Sequence, residues 1–135
     1  MIITDNLQTD LLPGNNVNYS VILPPNCRKT LLWLHGYQER SNRLLQYEEF
    51  ERLAERHHIA VIFPDTPDTY YINQEWNRCY TEKFLITEFI PQVTAKYQLP
   101  AGCNQIFLAG ISMDGSDALC NHRVYVSYLS DLWYG

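Results

Sequence analysis

The sequence lacks any apolar run near the ~20 residues that a membrane-spanning helix needs. Its start shows no basic stretch followed by an apolar one. We therefore expect no membrane partner and, by default, a cytoplasmic location. The basic residues form no run longer than Arg28-Lys29, and the net charge is −5. Because nucleic-acid-binding proteins usually carry a basic patch, no nucleic-acid partner is expected.

The cysteine and glycine patterns predict neither a metal site nor a cofactor. The cysteines at positions 27, 79, 103 and 120 include no Cys-x-x-Cys pair and no close histidine partner. This spacing argues against zinc. Four cysteines could form two disulfides, but without a secretory signal we expect reduced thiols. No G-x-G-x-x-G motif follows an apolar run, which argues against a dinucleotide-binding domain.

The sequence does contain apolar runs of the length of strands. Of its 135 residues, 46% are hydrophobic and 19% charged, as in an ordinary globular domain. The runs at residues 29–34, 59–63 and 105–109 predict strands that are buried on both faces. Residues 17–23 alternate apolar and polar side chains, and residues 7–12 precede them across a Pro-Gly turn. These two segments predict antiparallel strands near one sheet edge.

Helical patterns separate the buried runs. Apolar residues at helical spacing predict helices over residues 42–57 and 81–97, the second interrupted by Pro91. Residues 66–78 show no periodicity, and we expect a functional loop over the strand ends. The alternation favours parallel strands joined by right-handed crossovers, which is an α/β fold.

The run GISMDG at residues 110–115 follows the third apolar run and resembles a nucleophile elbow. Such a turn exposes a serine hydroxyl, here that of Ser112, above the carboxyl edge of a sheet. It also frees the next backbone N–H, that of Met113, to bind an oxyanion. The second glycine of G-x-S-x-G is replaced by Asp114. An ordinary loop serine that caps a helix is the alternative interpretation.

Four motifs together resemble one protein family. They are LWLHG at residues 32–36, IFPD at 62–65, FLITEFIP at 84–91 and AGISM at 109–113. In this order and spacing the chain is similar to the esterase D branch of the α/β-hydrolases, which includes tributyrin or acetyl esterases and S-formylglutathione hydrolases. The resemblance covers most of residues 1–115. It implies a truncated α/β-hydrolase fold, with a mostly parallel sheet, antiparallel N-terminal strands and flanking helices.

The resemblance also implies roles for individual residues. Ser112 matches the nucleophile, and the backbone N–H groups of Tyr37 and Met113 match the oxyanion hole. His35 precedes the oxyanion loop, where a role in bracing the turn is favoured over one as catalytic base. Three aromatic residues lie in the segment that lines the acyl or alcohol pocket in this family: Tyr70, Tyr71 and Trp76. They could equally pack the loop.

The chain departs from the family in its catalytic triad. A serine hydroxyl needs an imidazole to take its proton and an acid to orient that imidazole, and in this fold both follow the serine. His35, His57 and His58 precede Ser112. On an elbow helix, His122 would lie about 15 Å along the axis from Ser112. The later acids are expected to be solvated surface residues: Asp117 and Asp131.

The sequence therefore divides at about residue 115. Residues 1–115 match the N-terminal part of a hydrolase domain, and residues 116–135 form a divergent tail in place of the C-terminal half. A disrupted reading frame after Met113 would explain both Asp114 and the tail. Because parallel sheets need their later strands paired, we expect an exposed sheet edge and self-association through it.

Three classes of function remain open. The first is an active carboxylesterase on small acyl esters or thioesters. The second, which we favour for this chain, is an inactive form of that esterase, because the triad acid and base are missing. The third is a non-catalytic binding or interaction module that reuses the fold.

Overall fold

The computed structural model describes residues 1–34, 48–65, 73–74, 79–102, 104–111 and 124–128. Within them, helix α1 spans Glu48–Arg56, α2 spans Thr81–Phe84, and α3 spans Ile90–Lys96. The strands are β1 (Ile2–Gln8), β2 (Asn16–Ile22), β3 (Lys29–Leu34), β4 (Ile59–Pro64), β5 (Asn73–Gln74), β6 (Cys79–Tyr80), β7 (Ile106–Ile111) and β8 (Val124–Tyr128). Among the described helices, none is both long enough and apolar enough to cross a membrane.

Six of the described strands form one mixed sheet in the order β1-β2-β4-β3-β7-β8. The central strands β4, β3 and β7 are parallel to one another. Strands β1 and β2 pair antiparallel on one side, and β8 pairs antiparallel with β7 on the other. The predicted α/β class, with parallel central strands and antiparallel N-terminal strands, is confirmed.

The three central strands lie where the apolar runs predict them, because the sheet is covered on both faces. On one face, Leu32 and Ile62 pack under the helical segment of residues 81–96, and on the other, Trp33 and Phe63 pack under α1. Adjacent residues of one strand point to opposite faces, so a strand covered twice must be apolar at every position.

The helix that covers the first face changes its hydrogen-bonding pattern before Pro91. Between α2 and α3, residues Leu85–Phe89 form a π-helical turn, and the backbone N–H of Ile90 donates to the carbonyl of Leu85, five residues earlier. Proline has no N–H, and its ring crowds the carbonyl four residues before it. The predicted interruption at Pro91 is thus accommodated by a wider turn, and the helix continues.

The first strand lies earlier than the sequence pattern predicts. Strand β1 spans Ile2–Gln8, whereas residues 9–15 form the turn into β2. In this turn the backbone N–H of Thr9 donates to the Asn15 carbonyl at 3.1 Å, and Gly14 has a φ of 82°. Leu12 is buried because it packs into the core from the turn, so its apolar character gives a false strand signal.

The predicted loop of residues 66–78 contains regular structure. Strands β5 and β6 pair antiparallel, with Asn73 opposite Tyr80 and Gln74 opposite Cys79. The segment thus includes half of a short hairpin that leads directly into α2. Strands of two residues are too short to leave an alternating pattern in the sequence.

The alternating tail does form a strand. Val124 pairs with Ile111 and Tyr128 with Phe107, so β8 covers the edge of β7. The outer strand on this side is therefore β8, and β1 is the outer strand on the other.

A buried hydroxyl joins β3 to the turn before β7. The Thr30 side chain is 1% exposed, and its Oγ1 donates to the Pro100 carbonyl at 2.7 Å. Thr30→Val keeps the shape but leaves that carbonyl without its donor, so we expect the free energy of unfolding to fall by about 1–2 kcal/mol. Urea denaturation measures the change. Thr30→Ser retains the hydroxyl and should lower the free energy of unfolding clearly less. Equal decreases for the two variants would rule out the hydrogen bond as the cause.

Strand β1 is joined to α3 by a polar cluster. The Asp5 carboxylate pairs with the Lys96 ammonium and accepts a hydrogen bond from the Tyr97 hydroxyl at 3.4 Å. The hydrogen bond from Lys96, followed by that from the Asn6 backbone N–H, lowers the pKa of Asp5 below its ordinary value of 3.8. The Tyr97 hydroxyl also lies 3.4 Å from that of Tyr19.

This cluster predicts a small, acid-sensitive contribution to stability. A carboxyl whose pKa is lower in the folded state stabilises the fold above its unfolded pKa and loses that effect as pH falls through the folded pKa. Asp5→Asn should therefore lower the urea midpoint at neutral pH, and the difference should vanish in acid. Because the pair is exposed to solvent, the loss should be small. A difference that persists at acidic pH would contradict this account.

Candidate active site

The candidate site lies where three parallel strands end at one edge of the sheet. Strands β3, β4 and β7 end at Leu34, Pro64 and Ile111, respectively. Because they run in the same direction, their carboxyl ends meet at a single edge, which is where ligand sites form in open α/β sheets. The segments that follow these strands carry the predicted oxyanion loop, the predicted pocket segment and the predicted nucleophile.

The register brings two of these segments together. Leu34 of β3 is the partner of Gly110 in β7, and neighbouring strands are about 4.8 Å apart. His35 follows Leu34 directly, and Ser112 follows two residues after Gly110. The segment with the predicted oxyanion donor and the segment with the predicted nucleophile therefore begin at neighbouring points of the sheet.

Most predicted site residues lie outside the described residues. This holds for Ser112, for the oxyanion residues Tyr37 and Met113, and for the pocket residues Tyr70, Tyr71 and Trp76. The structure describes the strands that precede them.

A buried aromatic cluster packs against the strands that lead to this edge of the sheet. Trp33 and Ala109 are partners on adjacent strands and belong to the same buried cluster. The Trp33 ring meets Phe50 of α1 edge-on at 6.0 Å between centroids, and Phe50 lies 5.9 Å from Phe63 of β4. Such ring pairs stabilise the cluster beyond the burial of their surface.

Two of the histidines lie at the wrong end of the sheet to serve Ser112. His57 and His58 immediately precede β4, whose carboxyl end is about 20 Å away for a strand of this length. His58 has a φ of 57°, and its Nδ1 lies 3.1 Å from the Pro25 carbonyl, so it forms part of the turn before β4. The other histidines, His35 and His122, lie outside the described residues.

The thiol of Cys27 is unfavourably placed to act as a nucleophile. Cys27 is a free thiol whose Sγ donates to the Pro24 carbonyl at 2.9 Å. Partial burial raises the pKa of this thiol, so the thiolate needed for nucleophilic attack is disfavoured. Cys27 therefore offers no alternative nucleophile to Ser112.

Comparison with known proteins adds to this geometry. No family model matches the chain. Over 97 residues the chain is 30% identical to an acetyl esterase of Caldicellulosiruptor saccharolyticus, a match that covers 72% of this chain and 36% of that protein.

Solved structures share the fold. FphF, a fluorophosphonate-binding serine hydrolase of Staphylococcus aureus, superposes with a TM-score of 0.73 and 27% identity, over 84% of this chain and 48% of that one. The S-formylglutathione hydrolase FrmB of Staphylococcus aureus superposes with a TM-score of 0.67 and 27% identity, over 82% of this chain and 46% of that one. The chain thus spans half or less of the length of these relatives. It is a partial α/β-hydrolase fold of the esterase type.

Proposed function

We propose that the chain carries the nucleophile and the oxyanion hole of a serine carboxylic-ester hydrolase that acts on small acyl esters or thioesters. The observation that carries this proposal is the pairing of Leu34 with Gly110 at the carboxyl edge of the sheet. This pairing lets the loop with Tyr37 and the turn with Ser112 begin at adjacent positions. The similarity to an acetyl esterase and to a serine hydrolase supports it further.

The proposed chemistry is acyl transfer through a covalent intermediate. The Ser112 Oγ attacks the substrate carbonyl carbon, and the serine proton passes to a base. Negative charge then develops on the carbonyl oxygen, and the backbone N–H groups of Tyr37 and Met113 stabilise it. The tetrahedral intermediate expels the alcohol or thiol and leaves an acyl-serine, which water hydrolyses.

We assign no catalytic base or acid among the described residues. Of the described histidines, His57 and His58 lie at the opposite sheet edge. In the family order both partners follow the serine on later strands, and we propose on that ground that the catalytic base and acid lie outside this stretch of chain. The 135-residue chain by itself is then limited to the rate enhancement that an oxyanion hole gives without a triad, about 10³-fold over water.

Hydrolysis of p-nitrophenyl acetate tests both halves of the proposal. The expected result is a slow rate above that of buffer, equal in the wild-type chain and in Ser112→Ala, with no labelling by a fluorophosphonate probe. A rate no higher than buffer would reject the ester-hydrolase site. Labelling of the wild-type chain that disappears in Ser112→Ala would support the hydrolase site, because the probe reacts only with an activated serine. It would contradict the proposal that the chain lacks a catalytic base.

A non-catalytic binding module is the second candidate. The observation that favours it is a polar cavity at the turn between β1 and β2, whose lining contains neither histidine nor cysteine. A chain that binds ligands there but gives no ester hydrolysis above buffer would fit this second candidate alone.

A further inference from the structure

A cavity of about 440 Å³ lies at the turn between β1 and β2, away from the strands that lead to Ser112. It is open to solvent, since all of its lining residues except Thr9 are exposed. A Cβ added at Gly14 would meet nothing within 4 Å, so the turn leaves this space open. The lining residues are Asn6, Gln8, Thr9, Asp10, Gly14, Asn15 and Asn16.

The strand register brings the amide side chains of this cavity to one face. Asn6 and Gln8 are two residues apart on β1 and thus point to the same side. Gln8 is the partner of Asn16, and Asn6 is the partner of Asn18. The lining amides of Asn6, Gln8 and Asn16 are exposed and form no side-chain hydrogen bond with other described residues. They offer paired donors and acceptors to a ligand.

The composition of the lining selects among ligand classes. The side chain of Asp10 and the absence of lysine and arginine from the lining disfavour an anion. The lining also contains no aromatic or branched apolar side chain, which disfavours an apolar ligand. An amide presents a donor and an acceptor in one plane, as adjacent sugar hydroxyls require. We infer that this cavity, which we name the hairpin pocket, binds a neutral, hydroxyl-rich carbohydrate.

The hairpin pocket lies at the same edge of the sheet as the candidate active site. Tyr19 near the start of β2 is the partner of Pro64 at the end of β4. Three strand spacings of about 4.8 Å separate β2 from β7, or about 14 Å across the sheet. The binding inference does not depend on the proposed hydrolase activity.

Side-chain amide signals in nitrogen-proton NMR spectra test the inference directly. The probes are xylotetraose, cellotetraose and maltotetraose, with glucose 6-phosphate as the anionic comparison. We expect at least one neutral tetrasaccharide to shift the NH₂ signals of Asn6, Gln8 and Asn16 more than those of Gln92 on α3. Shifts with glucose 6-phosphate alone, or with no probe, would overturn the inference.

A matched variant separates the pocket from general surface effects. Replacing both Gln8 and Asn16 by alanine removes two amides and should weaken tetrasaccharide binding by about fivefold or more, because each hydrogen bond contributes modestly. Gln92→Ala removes an exposed amide elsewhere and should leave binding unchanged. A double variant with a well-dispersed spectrum and wild-type affinity would reject the pocket. Since binding is read without turnover, failure of ester hydrolysis leaves this test intact.

Discussion

Met113→Pro is expected to lower the residual p-nitrophenyl acetate hydrolysis of this chain by about 100-fold, whereas Met113→Ala should leave it nearly unchanged. Proline has no backbone N–H, so the substitution removes one of the two proposed oxyanion donors. Loss of a single such donor typically reduces the rate of catalysis by 10²–10³. Alanine shortens the same side chain but keeps the N–H. The comparison thus isolates the main-chain donor from the methionine side chain.

The measurement compares initial rates for the two variants and for buffer. Circular dichroism must first show that the proline variant keeps wild-type secondary structure, because proline also restricts the residue before it. Equal rates for the folded proline and alanine variants would show that the Met113 N–H does not bind the oxyanion. The proposed pair of oxyanion donors would then be reduced to the Tyr37 N–H.

The central sheet could be predicted from the sequence because its signal is local. Strands β3 and β4 are apolar at nearly every position, and the reason is the burial of Leu32 and Ile62 on one face and of Trp33 and Phe63 on the other. Such runs need no knowledge of their neighbours. The pattern misplaces strand β1 because this outer strand is only partly buried, while Leu12 in the following turn is buried.

The candidate site could be predicted only in part. A nucleophile elbow has a short local signature, so the run around Ser112 can be recognised before the strand that leads to it is seen. The pairing of β3 with β7 joins residues that are far apart in the sequence, and only the sheet order reveals it. No sequence motif marks the hairpin pocket. The amides of Gln8 and Asn16, which face each other on paired strands, are the signal that could indicate it.

The packing of the second predicted helix against the sheet depends on Phe89. This residue is fully buried at the end of the π-helical turn, with its ring edge-on to Tyr19 at 5.3 Å and 5.6 Å from the ring of Phe84. It therefore joins the helical segment to β2 through aromatic contacts. Truncating this side chain would lose its hydrophobic burial and would also leave a cavity in the core.

Phe89→Ala should accordingly lower the free energy of unfolding by about 3–5 kcal/mol, as large-to-small changes at buried aromatic residues do. The free energy of unfolding of a typical domain is only about 5–15 kcal/mol. The variant should therefore unfold at a much lower urea concentration. Leu53→Ala on α1 is the control, because Leu53 is 52% exposed and its truncation should change stability by about 0.5 kcal/mol or less. If the two variants lost equal stability, the helix could not be the cover of this face, and the buried character of β3 and β4 would need another cause.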